Sequence, residues 1–145
     1  MGKWDSNEDE ATYKLSVESA EKSVREFIGF YEIDTSRSDR DEEKIVETMF
    51  DDLSKAYRRG NLENKKDDNL GFCVVQYLKN GSTLTYRELG GKDRIVMEGF
   101  DNTRPYSRIY AILGKLSGLG EDAIMKLKGQ DWKCAEALGL VFMMA

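Results

Sequence analysis

Histidine is absent from this chain of 145 residues. Its absence removes Ser-His-Asp and Cys-His nucleophilic machinery, His-ligated metal centres and the commonest general base. Only two cysteines occur, Cys73 and Cys134, far apart within apolar stretches and without a Cys-x-x-Cys step. That excludes a zinc module, and both side chains read as small buried hydrophobes in a reducing compartment. No apolar run approaches the roughly 18–20 residues needed to cross a bilayer. The opening Met1-Gly2-Lys3-Trp4-Asp5 has no apolar stretch of the kind a secretory leader requires. Met1-Gly2 with Ser6 follows the outline of an acylation signal, but Lys3 and Trp4 intervene and no second anchor is visible. Myristoylation is therefore not expected, and the expected location is the cytoplasm. No internal repeat or domain linker stands out.

What the chain does carry is acid. Aspartate and glutamate number 27 against 22 lysines and arginines, for a net charge of −5. The first 60 residues hold sixteen acidic and ten basic side chains, a balance of −6, and the remainder carries +1. Without a basic stripe, nucleic-acid binding is not expected, because phosphate neutralisation supplies most of that affinity. The acidic half reads as a solvated surface or as a face for a basic partner. At 40% apolar and 34% charged, the composition is that of a globular domain with a heavily solvated surface.

Residues 1–22 are polar and read as a flexible acidic tail, with 23–145 as a single α+β domain. The aromatic and β-branched content of 24–33 predicts a strand, followed by a polar turn from Asp34 to Asp39. Ile45, Val46, Met49, Phe50, Leu53, Ala56 and Tyr57 recur at helical spacing. Ser38 followed by Asp41 suits the start of that helix, Asp41, Glu42 and Glu43 suit its positive end, and Gly60 its stop. A polar loop is expected over 61–71. Phe72–Leu78 and Thr83–Leu89 flank Asn80-Gly81 and predict a β-hairpin. Gly90-Gly91 ends its second strand, and Lys92–Gly99 suits two helical turns. The C-terminal half reads as helices, starting at Pro105, at Glu121 and near Asp131, with breaks at Gly118, Gly120 and Gly129. The class is α+β, mostly helical with a short hairpin at about 72–89.

Motifs for chemistry fail on spacing. Gly90-Gly91-Lys92 falls short of a phosphate loop, and Gly118-Leu-Gly120 has neither the third glycine nor the preceding strand of a dinucleotide site. Asp34-Thr-Ser-Arg-Ser-Asp39 has no glycine at the sixth position of a calcium loop, and Ile45 stands where a bidentate glutamate belongs. No acidic residue sits within an apolar stretch in a way that predicts a raised pKa, so no catalytic pair is proposed. An enzyme is not expected, and no metal or cofactor is implied.

The chain ends on Leu138-Gly-Leu-Val-Phe-Met-Met-Ala145, almost wholly apolar. One reading docks this helix into the domain's own core. The other gives it to a partner or a second copy, with Leu127, Trp132, Leu138, Val141 and Phe142 as the candidate partner-binding residues.

An ordered series runs through 83–142. It comprises Leu84-Thr-Tyr-Arg87-Glu88-Leu89, then Gly91-Lys92-Asp93, Leu116-Ser117-Gly118, a step from Leu127 to Asp131, and a final apolar helix from Trp132 to Phe142. This series resembles the tail assembly chaperones of long-tailed bacteriophages. The resemblance implies a protein without catalysis that binds the tape-measure protein and tail-tube subunits during tail assembly in the cytoplasm of the bacterial host. Self-association is a further expectation. The first 60 residues lie outside the resemblance. Two alternatives stay open: a structural tail component of the virion, and an acidic inhibitor that binds a basic host protein through residues 1–60.

Overall fold

The computed structural model describes residues 13–36, 39–98 and 105–145. Helix α1 spans Val17–Phe30, where a strand was expected over 24–33. Helical spacing overrides β-propensity here: Ala20, Val24 and Phe27 fall on one buried face. Ser16 caps the start, its hydroxyl accepting from the Ser19 amide at 3.1 Å. The helix closes with the Ile33 amide bonded to the Ile28 carbonyl, and Glu32 takes the left-handed conformation (φ 51°) usually left to glycine. Within the segment expected to be a tail, 17–22 are helical and Ala20 is fully buried, while residues 1–12 lie outside the described residues.

Helix α2 spans Arg40–Arg58. The expected cap, Ser38, lies outside the described residues, and Asp39 does the capping, its carboxylate accepting from the Asp41 amide at 2.7 Å. Val46, Met49, Leu53, Ala56 and Tyr57 form the buried face. Gly60 follows with φ 77°, as expected of a stop.

The polar loop expected over 61–71 is instead a strand and a turn. β1 (Leu62–Asp67) pairs antiparallel with β2 (Gly71–Tyr77), Asn64 opposite Val74. The turn is held by the Asp67 carboxylate, which accepts from the amides of Asn69 and Leu70. Apart from Leu62 the strand is polar, so composition hid it; charged side chains are usual on an edge strand. The hairpin expected at Asn80-Gly81 is present. β3 (Thr83–Tyr86) pairs with β2, Val75 opposite Thr85, giving a three-stranded antiparallel sheet in the order β1-β2-β3.

A 3-10 helix, Gly91–Met97, takes the place of the two helical turns expected after the hairpin. Helix α3 (Pro105–Ser117) starts on its proline as expected, α4 (Glu121–Met125) is short, and α5 (Gly129–Met144) ends the chain. Gly129, read as a break, is the first residue of α5, and Asp131 lies in its first turn rather than at the cap. Where α3 meets the start of α4, Gly114 lets the backbone pass: a Cβ there would lie 2.6 Å from the Gly120 carbonyl carbon. The core draws side chains from all five helices and three strands. Phe27, Tyr31, Phe72 and Phe142 meet in edge-on and stacked contacts, tying α1, β2 and α5 together. The class is α+β and mostly helical, as the sequence predicts.

Candidate protein-interaction surface

The candidate residues near the end of the C-terminal helix supply the core rather than a surface. Leu138, Val141 and Phe142 are buried, and Phe142 packs edge-on against Phe27 at 5.5 Å. These three candidate partner-binding residues are corrected to core positions, because a partner would reach them only by opening the fold. Leu127 and Trp132 are half-buried and pack against the same core. Trp132 also meets Tyr110 and Tyr106, with ring centroids 5.4 and 6.1 Å apart.

Several residues of the 83–142 series meet in space. Arg87 grips the Asp93 carboxylate with both terminal nitrogens, at 2.8 and 2.6 Å. Asp93 also accepts from the Gly90 amide at 2.7 Å, and the Arg87 amide donates to the Leu116 carbonyl. Glu88 turns the other way and accepts from the Phe72 amide at 3.0 Å. The Arg-Glu step, the Gly-Lys-Asp turn and the end of α3 are thus one latch. Arg87, through its hydrogen bonds and charge, holds the Asp93 carboxyl below the usual carboxylate range.

A second polar node fixes α5. Gln76, wholly buried, donates from Nε2 to the Asp131 carbonyl at 2.8 Å and accepts from the Tyr86 hydroxyl at 2.7 Å. Tyr86, Tyr57 and the Cys134 thiol are all pushed up by burial and stay neutral at physiological pH. A neutral buried thiol is inert, as the sequence reading of Cys134 expects.

What the surface offers is a ridge between two apolar grooves. On one side of α2, Lys44, Ile45, Thr48 and Asp52 face Tyr106, Glu136 and Leu140 of α3 and α5 across a groove of about 380 Å³. Ile45 and Tyr106 are 56% and 54% exposed there, large values for apolar bodies that line a concavity. On the other side, a groove of similar volume runs between α1 and α2, lined by Val24 and Phe50 and rimmed by Glu21, Arg25, Glu47 and Asp51. Arg25 lies 3.8 Å from Glu21, leaving the rim acidic on balance.

The grooves were not singled out from sequence, although a signal exists. At about 100° per residue, the seven apolar positions of α2 cover an arc of roughly 140°, with Ile45 at one margin and Phe50 at the other. The five between them are buried, and each marginal residue opens into its own groove. The arc is wider than the core needs.

Among the described residues, no cluster of three or more Cys, Asp or Glu side chains is placed to hold a metal ion. No described helix is long and apolar enough to cross a membrane. Comparison with known proteins finds no matching family model and no significant match to a curated protein or a solved structure.

Proposed function

We propose that this protein is a non-catalytic assembly chaperone of a long-tailed bacteriophage or prophage. In that role it binds the tape-measure protein, and tail-tube subunits, in the cytoplasm of the infected bacterium. The observation that carries the reading is the acid-rimmed apolar groove between α1 and α2, which offers an amphipathic client helix an apolar floor at Val24 and Phe50. A stripe of apolar residues flanked by lysine or arginine complements that floor and the carboxylates of Glu21, Glu47 and Asp51. The resemblance of 83–142 names the class of client. Many copies along one long client would hold it through avidity, without a tight individual site.

Gene neighbourhood gives the first test. The reading expects an overlapping frame followed by a very long coding region for a helical protein. Coexpression with this chain should keep that product in the soluble fraction, and Phe50→Lys should remove the protection while circular dichroism stays unchanged. Retention of the chain in purified phage particles would favour a structural tail component instead.

A further inference from the structure

The groove on the other flank of α2 carries an inference of its own, which does not depend on the client. Asp41, Ile45, Thr48, Asp52 and Lys55 recur at intervals of four and three along α2, the spacing of a helix–helix seam, and Lys44 lies four residues before Thr48 on the same side. Lys44, Ile45, Thr48 and Asp52, the middle of the stripe, line this groove. Among the described residues Asp41, Lys44 and Asp52 make no ion pair, and Glu136, on the far wall, makes none either. Among the described residues, Lys55 pairs with Asp51 alone, in an exposed contact at 3.7 Å.

The order of charges along this stripe reads negative, positive, then negative, positive, with Thr48 at the middle. Such a sequence is complementary to itself when reversed. If a second α2 lies antiparallel across the first, with a two-fold axis through Thr48, Lys44 meets Asp52 of the second copy. Asp41 then meets Lys55 of the second copy, and symmetry makes each pair twice. The axis falls on a small side chain, which permits the close approach of about 8–10 Å between helix axes that packed helices use. Each α2 then occupies the groove of the other copy and covers the exposed Ile45 and Tyr106. Glu136 adds a carboxylate within the groove that receives Lys44 of the second copy.

We infer that α2 is the two-fold interface of a homodimer, in which a second copy of this chain fills the groove between α2, α3 and α5. The interface is small and strongly charged, which makes it weak and salt-sensitive.

The test is sedimentation equilibrium from about 10 µM to 1 mM, a range that covers weak symmetric association, at low and high salt. The wild-type chain should shift from monomer to dimer across this range, and salt should weaken the dimer. Lys44→Glu places glutamate opposite Asp52, and Asp52→Lys places lysine opposite Lys44. Each variant alone should lose at least tenfold in affinity. Mixed together, the two variants regain opposite charges at both of these contacts, and the mixture should dimerise. Disulfide trapping provides a readout that involves no charge reversal. Thr48→Cys places thiols across the axis and should cross-link on mild oxidation, whereas Glu47→Cys, turned toward the other groove, should not. The native Cys73 and Cys134 are buried and give little background. A wild-type chain that stays monomeric at the highest concentration overturns the inference. So does a mixture of folded charge variants that fails to associate, or equal cross-linking at positions 47 and 48.

Discussion

Replacing Arg87 with alanine removes both guanidinium bonds to Asp93 while the Gly90 amide bond to that carboxylate remains. The Arg87 side chain is 33% exposed, but Asp93 is only 4% exposed, so the variant strands a carboxylate that water hardly reaches. Removing one member of a buried pair in this way costs about 3 kcal/mol. That is a large share of the roughly 5–15 kcal/mol that holds a domain folded. Asp93→Asn should cost less, since the partner left behind is the more solvated one. The effect has a definite sign with pH. In the wild type the lowered Asp93 carboxyl contributes stability that is present above an unfolded value near 4 and fades as pH falls through its folded value. In Arg87→Ala the buried carboxyl no longer has its cation, and protonation relieves it. Urea titrations followed by circular dichroism should therefore show a wide gap between the two proteins at pH 7 that narrows below about pH 4. A gap under about 0.5 kcal/mol at pH 7, the scale of an exposed pair, would refute the latch. A gap that does not narrow in acid would refute its electrostatic origin.

Two further substitutions test the packing. Gly114→Ala drives a methyl group into the backbone of Gly120 and Glu121, which cannot swing away as a side chain can; a loss of about 1–3 kcal/mol is expected in the same titration. Phe142→Ala should cost about 3–5 kcal/mol as a core truncation. A near-neutral Phe142→Ala that instead abolished client binding would return the residue to the interface.

The class, the hairpin and the helix starting at Pro105 were legible because each rests on local chemistry: an Asn-Gly turn, a proline at a helix start, apolar residues at helical spacing. The two misread segments failed for opposite reasons. In 24–33, Val24, Phe27 and Ile28 carry β-propensity, but contacts with α2 and Phe72 reward their helical spacing. In 61–71, Leu62 alone is buried, so nothing in Glu63 to Asp67 announces a strand; pairing with β2 makes it one. The site was harder still. An apolar C-terminus draws attention in a sequence, yet Val141 and Phe142 spend that character on the core. The apolar groups that α2 gives to the two grooves, Ile45 and Phe50, sit unremarked at the margins of a helix whose centre is buried. Arg87 and Asp93 could be quoted as parts of a series, but their contact depends on the chain reversing between them.

The outer strand of the sheet carries a consequence for the proposed role beside aggregation-prone clients. Since the Tyr77 amide bonds to the Asn61 carbonyl, the ladder alternation turns the Leu62, Asn64 and Lys66 backbone groups away from β2. Such a row invites another strand to add, and an unfolded client supplies many. The side chains along β1 oppose that invitation, with Glu63, Lys65, Lys66 and Asp67 all carrying charge that an incoming apolar segment cannot match. Under the proposed function, a holder of aggregation-prone chains would thereby be kept from being recruited into the aggregate it prevents.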